Sequence, residues 1–205
     1  NFMKKAYSLK IGWLYPDLMS TYGDRGNIIV LQKRCKWRNI DVTVKKIFVE
    51  SKTEELMNLD LIFMGGAQDT QQEIVSLDLF KTKGKMLCEL INNNTPGLFI
   101  CGAYQFLGNY YITADRKKLP GLKLFPLYTE SPGLNSKRLI GNIIIEVDSL
   151  WQIADSKENK STSPKPPANQ LVGFENHGGR TYIEDKSMAF AKVVKGFGNN
   201  GHDKT

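Results

Sequence analysis

The 205-residue sequence predicts an α/β fold: a doubly wound, mostly parallel β-sheet, with added antiparallel strands in its second half. In the first half, short apolar segments alternate with longer segments of helical periodicity, which is typical of right-handed βαβ crossovers. In the second half, strand patterns are separated by turns rich in proline and glycine, which favours antiparallel pairing.

Four segments of the first half predict strands because they are short and apolar or β-branched. They are residues 9–15, 42–49, 59–64 and 97–100. Each is bounded by turn-forming residues or by a helical pattern. They are therefore expected to be the buried parallel strands of the sheet.

Two segments between these strands predict helices. Residues 26–38 place Ile28 and Cys35 on one face. Residues 70–93 are mainly helical in pattern, with a break expected near residues 83–84. These helices would be the crossovers between parallel strands.

The second half predicts three more strands, at residues 138–147, 171–175 and 188–194. Residues 155–167 are polar and rich in proline, which is typical of a mobile surface loop inserted in a domain. The sequence therefore indicates a single domain over residues 4–205.

Composition and charge narrow the class of protein. The net charge of +7 and pI near 9.2 would suit nucleic acid, an anionic membrane or an acidic partner. No run of five like charges occurs, so a merely soluble basic surface is the simpler interpretation. Apolar stretches are too short to span a bilayer, and the charged N-terminus has no long apolar run behind it, so we expect neither a membrane span nor a signal peptide.

Three cysteines cannot all pair within one chain, which favours reduced thiols and a cytoplasmic location. Cys35 and Cys88 fall within helical patterns and are interpreted as structural. There is no Cys-x-x-Cys and no histidine cluster, so no metal site is predicted.

Cys101 has the strongest functional signal. It ends an apolar strand and is followed by Gly102 and a helical pattern, as a nucleophile at a strand-to-helix turn would be. The N–H groups of a following helix would favour the thiolate. The alternative is a buried cysteine that packs as a small apolar side chain.

Two neighbouring features favour the nucleophile. Gly65 and Gly66 follow the adjacent strand, where their backbone can supply an N–H to an oxyanion. Gln105 lies one helical turn after Cys101 and can line the same pocket.

The motif from Gly97 to Gln105, Gly-Leu-Phe-Ile-Cys-Gly-Ala-Tyr-Gln, resembles the Gly-x-x-x-Cys-x-Gly-x-Gln elbow of class I glutamine amidotransferases. Four segments in order further resemble the cobyric-acid-synthase-like branch, and within it the GatD-type glutaminase subunits of lipid II isoglutaminyl synthase. They are residues 22–28, 101–108, 128–131 and 173–181. The resemblance covers about residues 11–204 and implies a flavodoxin-like α/β fold.

The resemblance implies a site and a reaction. Cys101 would attack the side-chain amide of L-glutamine and form a thioester. Gly66 and Gly102 would supply the oxyanion hole, and Gln105 and Arg138 would bind the substrate. Without the resemblance, Arg138 would be an ordinary solvated charge.

The resemblance also implies a partner. Ammonia would pass, within a heterodimer, to a Mur-ligase-like synthetase that uses ATP and Mg²⁺ to amidate D-glutamate in the lipid II stem peptide during peptidoglycan synthesis. The glutaminase subunit itself would need no cofactor, would bind no nucleic acid, and would meet lipid II at the membrane surface only through the partner.

Two residues depart from the pattern. Ala103 stands where the class usually has glycine, and Ala67 where this branch often has a third glycine. A positive φ at either position would strain the turn and disturb the oxyanion hole.

The resemblance implies a general base that has no matching residue in this sequence. Cysteine hydrolases of this kind use a histidine, and the chain has only His177 and His202. The resemblance implies that the catalytic histidine lies in a later Gly-Thr-Tyr-Leu-His-Gly-like motif. Because residues 196–205 have loop composition and no such motif follows, we expect a domain incomplete at its C-terminus, with little glutaminase activity alone. On chemistry alone His177 is the alternative base, whereas His202 is expected to be solvated.

Three other functions remain open at this level. Another cysteine hydrolase of the same architecture, a peptidase or deglycase, would need a different pocket, and Gln105 and Arg138 favour glutamine. A non-catalytic binding or scaffold subunit would fit the absent histidine but not the Cys101 neighbourhood. A flavodoxin-like nucleotide binder is least favoured, since the Gly65–Gly66 loop lacks Gly-x-Gly-x-x-Gly spacing.

Overall fold

The computed structural model describes residues 7–147 and 169–205 of the chain. The described residues divide into two compact units: residues 7–111 with 118–125, and residues 112–117 with 126–147 and 169–205. The single domain over residues 4–205 stays a prediction, and the predicted loop at 155–167 lies outside the described residues.

The first unit has a four-stranded, all-parallel sheet. Its strands are β1 (Tyr7–Leu14), β2 (Ile40–Ile47), β3 (Leu61–Met64) and β4 (Gly97–Phe99), in the order β2-β1-β3-β4. The predicted strands are confirmed, with bounds that differ by up to two residues. Alternation of strand and helix in the sequence therefore identified the parallel sheet correctly.

Helical segments connect these strands. They are α1 (Arg25–Trp37), a 3₁₀ turn (Thr53–Leu56), α2 (Asp69–Asp78), a π-helical turn (Leu79–Lys83), α3 (Gly84–Asn92) and α4 (Gly102–Gln105). The predicted break near residues 83–84 is the π-helical turn. A side chain at Gly84 would lie 2.3 Å from the carbonyl oxygen of Leu79, so this close turn requires glycine.

The sheet is covered on both faces. Adjacent strand residues point to opposite sides, so Leu14 and Ile62 belong to a core with α2 and α3, while Trp13 and Phe63 pack with Ile28 of α1. This two-sided burial is the doubly wound arrangement that the sequence predicts.

The second unit is antiparallel. β7 (Leu127–Glu130) pairs with β10 (Arg180–Ile183), and β8 (Leu139–Val147) lies between β9 (Gln170–His177) and β11 (Ala191–Lys195). The added antiparallel strands are thus confirmed.

Some second-half elements differ from expectation. β5 (Tyr110–Ile112) and β6 (Lys118–Pro120), like β7 and β10, were not predicted. The strand predicted from residue 188 begins at Ala191, because Lys186–Met188 form a 3₁₀ turn capped by the Asp185 side chain. Among the described helices, none is long and apolar enough to cross a membrane.

Candidate active site around Cys101

Cys101 lies at a sharp turn between β4 and α4. Its φ is +53° and its ψ −120°, a conformation that non-glycine residues rarely adopt. The N–H of Ile100 donates to Met64 O at 3.0 Å and holds the end of this strand to β3. Such backbone strain is concentrated at functional sites, and here it presents an exposed cysteine.

The helix after Cys101 is shorter than its pattern indicates. α4 covers Gly102–Gln105 and passes into turns, with Leu107 N donating to Tyr104 O. Few peptide dipoles are aligned in one turn, so the macrodipole of α4 is small. Stabilisation of a thiolate by the free N–H groups after Cys101 stays a prediction.

The glycine loop after β3 lies directly against the cysteine. A methyl group at position 66 would be 2.9 Å from Cys101 Cβ and 3.4 Å from its Sγ. Among the described residues, the N–H groups of Gly66 and Gly102 donate to no backbone carbonyl. The structure therefore brings Cys101 together with both glycines that the sequence singled out.

Gln72 of α2 joins this loop to the turn at Cys101. It is buried, and its Nε2 donates to Ala67 O at 3.1 Å. A methyl group at Gly102 would lie 2.6 Å from the same Nε2, so the amide packs on the backbone of Gly102. Sequence reasoning missed Gln72. The signal available was its position in the first turn of the predicted helix that follows Gly65–Gly66.

The two alanines that depart from the family pattern are accommodated. Ala67 and Ala103 are buried, and neither is among the described residues with positive φ. The strain considered from the sequence therefore does not arise. Gln105 is also buried, and its Oε1 has no hydrogen-bond partner in the described parts of the chain.

Tyr111 is a further residue that sequence reasoning missed. Its hydroxyl donates to Asp69 Oδ1 at 2.9 Å. Burial raises the pKa of Tyr111, and the negative charges of Asp69 and of the Cys101 thiolate add to that shift. Tyr111 is thus a protonated hydroxyl within electrostatic range of the cysteine.

Arg138 lies in the second unit, beside β9. Its Nε donates to Asn176 Oδ1 and its Nη2 to Asn176 O, both at 2.8 Å. Two hydrogen bonds to one residue fix the plane of the guanidinium group. The Arg138 side chain is exposed. An arginine held in this way is suited to bind a carboxylate.

His177 also lies in the second unit. Its Nδ1 is 2.9 Å from Gly179 O and its Nε2 3.7 Å from Glu175 Oε2. The buried Glu175 carboxylate accepts the N–H groups of Phe197 and Gly198 at 2.7 and 3.0 Å. Both ring nitrogens of His177 are thus directed at acceptors of its own unit.

Glu175 and His177 also border a cavity of about 300 Å³ in the second unit, whose other walls include Ile143, Ile145 and Val193.

His202 has an exposed side chain and lies in a turn. Its backbone N–H donates to Asn200 Oδ1 at 2.8 Å. Within residues 7–147 and 169–205, no three His, Cys, Asp or Glu side chains are grouped to hold a metal ion.

A family model of the CobB/CobQ-like glutamine amidotransferase domain matches residues 10–205. Two relatives are named lipid II isoglutaminyl synthase (glutamine-hydrolyzing) subunit GatD. The one from Staphylococcus aureus is 40% identical over 200 residues, which are 97% of this chain and 71% of the relative. The one from Streptococcus pneumoniae is 36% identical over 194 residues, which are 95% of this chain and 66% of the relative.

A solved structure described as a glutamine amidotransferase shares the fold. Its TM-score is 0.51 at 13% identity, and the match covers 89% of this chain and 79% of that chain. At this identity the likeness concerns the fold alone.

Proposed function

Because this chain belongs to the CobB/CobQ-like glutamine amidotransferase family, we propose that it is the glutamine-hydrolysing subunit of a lipid II isoglutaminyl synthase. Two relatives with that name, at 40% and 36% identity over nearly the whole chain, support this substrate class. The observation that carries the proposal is the exposed Cys101 at a strained turn, with Gly66 against its side chain.

Cys101 is the proposed nucleophile. Its thiolate attacks the side-chain carbonyl carbon of L-glutamine, forming a C–S bond and a tetrahedral oxyanion. The C–N bond then breaks as the nitrogen takes up the proton that the Cys101 thiol released on ionising. Ammonia is released, and a γ-glutamyl thioester remains on Cys101. Water adds to the thioester, the C–S bond breaks, and glutamate and the free thiol result.

The backbone N–H groups of Gly66 and Gly102 are the proposed oxyanion hole. Both residues flank Cys101, and neither N–H is used in a backbone hydrogen bond to a described residue. Donors held in place before the reaction stabilise charge that develops only in the transition state.

Arg138 and Gln105 are the proposed glutamine-binding residues. The guanidinium of Arg138 is oriented by Asn176, and Gln105 has a buried carbonyl oxygen to offer a substrate N–H. Ammonia would pass to a Mur-ligase-like synthetase subunit, where ATP and Mg²⁺ would be bound. This chain would contribute no cofactor site.

We assign no base role to His177, because its ring nitrogens face Gly179 O and Glu175 Oε2. Its proposed role is to hold the turn after β9. His202 lies in an exposed turn and is likewise not assigned.

The test is covalent labelling with a glutamine-like diazoketone. We would treat the protein that carries this sequence, in complex with its synthetase subunit, and locate the adduct by mass spectrometry. The expected result is one adduct at Cys101, suppressed by excess L-glutamine and absent from Cys101→Ala.

An adduct on Cys35 or Cys88, or no adduct in a folded complex, would contradict the proposal. The first result would indicate a different reactive cysteine. The second would indicate a non-catalytic relative of the family.

A further inference from the structure

Helix α1 has two apolar faces. One packs on the sheet through the buried Ile28 and Cys35. The opposite one projects Ile29, Val30 and Trp37, which are 46%, 54% and 73% exposed. A surface helix that packs on a sheet usually has one apolar face, directed at the core, and a polar face directed outwards. The exposed apolar side chains of α1 therefore suggest a contact surface.

The outer face is also strongly basic. Lys33 lies one turn from both Ile29 and Trp37, at i+4 spacing, and thus within the same line of side chains. The exposed basic residues of the helix and its C-terminal end are Arg25, Lys33, Arg34, Lys36 and Arg38. No acidic residue occurs from position 25 to position 40.

We propose that this outer face docks on an anionic phospholipid bilayer. It consists of Ile29, Val30, Lys33, Arg34, Lys36 and Trp37, and is called the basic–apolar face here. Basic side chains are attracted to anionic headgroups, while an indole ring and aliphatic side chains enter the boundary between headgroups and acyl chains.

The composition of the face favours a bilayer over other anionic partners. Ile29 and Val30 are both exposed on this face, where contacts to nucleic-acid phosphates would require polar groups. The core of a protein interface is depleted in lysine, whereas Lys33 lies at the centre of this face. Direct contact with the bilayer goes beyond the expectation that the partner alone reaches the membrane.

Lipid docking is independent of glutaminase activity, so it is measured without substrate. Vesicles of phosphatidylcholine with 30% phosphatidylglycerol would be sedimented with the protein, at two salt concentrations, beside vesicles of phosphatidylcholine alone. We expect binding to the anionic vesicles that falls at high salt, and little binding to the neutral ones.

Two double variants test the two components of the face. Lys33→Glu with Arg34→Glu should weaken binding by about 25-fold or more, since each basic residue near an anionic surface contributes about fivefold. Ile29→Ser with Trp37→Ser should weaken it by about tenfold, because two apolar side chains that enter the headgroup boundary are lost. In the wild type and in Lys192→Glu with Lys195→Glu, Trp37 fluorescence should shift to the blue on binding. All four side chains are exposed, so the melting temperature should stay close to that of the wild type.

The matched control is Lys192→Glu with Lys195→Glu, two exposed residues of β11, which changes the net charge by the same amount. If this control weakens binding as much as Lys33→Glu with Arg34→Glu, the attraction is diffuse and the assignment is wrong. Absence of binding to anionic vesicles overturns it as well.

Two further results would assign the face to another partner. Binding lost when the synthetase subunit is present would identify a protein interface. Competition by a DNA duplex that Lys33→Glu with Arg34→Glu abolishes and Ile29→Ser with Trp37→Ser leaves unchanged would identify a nucleic-acid surface. Either result overturns the bilayer assignment and leaves the glutaminase proposal intact.

Discussion

The side-chain amide of Gln72 donates a 3.1 Å hydrogen bond to the carbonyl oxygen of Ala67. The same amide packs on Gly102, where a methyl group would lie 2.6 Å from its nitrogen. The buried Gln72 side chain thus lies between the loop after β3 and the turn at Cys101, and keeps the two segments a fixed distance apart. If Gly66 and Gly102 form an oxyanion hole, Gln72 sets the distance between its two donors.

Gln72→Met should therefore slow the reaction of Cys101 with a glutamine-like diazoketone by about tenfold, because loss of one well-placed oxyanion donor costs about 100-fold or more and here the donor is only displaced. The apparent affinity for glutamine should change little, as should the reaction with iodoacetamide, which needs no oxyanion hole. The control is Gln71→Met, in the same turn of α2. Equal slowing of both reagents would indicate a general distortion of the turn.

Much of the architecture around Cys101 was predictable because it rests on local pattern. An apolar strand that meets cysteine and glycine indicated the turn, and the π-helical turn lies where the sequence predicted a helix break. Alanine at position 103, where the family usually has glycine, suggested possible strain. The strain is absent because φ at Ala103 is not positive, which only the folded backbone shows.

Other features depend on contacts between distant segments. β7 and β10 have four residues each and are joined by buried Thr129 and Thr181, whose hydroxyl groups lie 2.8 Å apart. Strands of four residues with mixed polar and apolar side chains are too short to show a reliable period in the sequence. Gln72 and Tyr111 were missed for the same reason, because each acts through a partner that only folding brings near.

His177→Asn should leave the rate of Cys101 labelling within about twofold of the wild type. Asparagine keeps a donor near the position of Nδ1, which contacts Gly179 O, but it cannot act as a base. The measurement is labelling with the diazoketone, with circular dichroism as the folding control. A loss of about 100-fold or more in a folded variant is what removal of a general base produces, and it would make our assignment wrong.

Lys83→Met should destabilise the protein by about 3–5 kcal/mol, the usual cost of leaving one member of a buried ion pair without its partner. Lys83 is 1% exposed, and its Nζ lies 2.7 Å from both Asp78 Oδ2 and Val49 O. Urea unfolding measures the change, and Lys81→Met is the exposed control in the same π-helical turn.

The second variant tests whether the isolated charge is the cause. Adding Asp78→Asn to Lys83→Met should restore part of the lost stability, because the unpaired carboxylate is then absent. If the double variant is no more stable than Lys83→Met, the loss comes from packing of the lysine stem.

Tyr15→Phe should change how stability depends on alkaline pH. Tyr15 is fully buried and donates to Asp78 Oδ2 at 2.8 Å; burial, this hydrogen bond and the charge of Asp78 raise its pKa. An unfolded tyrosine ionises near pH 10 while folded Tyr15 keeps its proton. Its contribution is therefore fully present below about pH 10 and declines as the pH rises further, by about 1.4 kcal/mol per pH unit.

The variant should thus be less stable than the wild type at pH 8, by about 1.5–3 kcal/mol, because a hydrogen bond to a charged group is lost. Above pH 10 the two unfolding free energies should converge, since phenylalanine does not ionise. Urea unfolding at pH 8, 10 and 11 measures this, with Tyr7→Phe as control because Tyr7 is 71% exposed. Parallel declines for the wild type and Tyr15→Phe would show that the Tyr15 hydroxyl ionises as readily in the folded protein as in the unfolded chain, against the direction of shift that its burial implies.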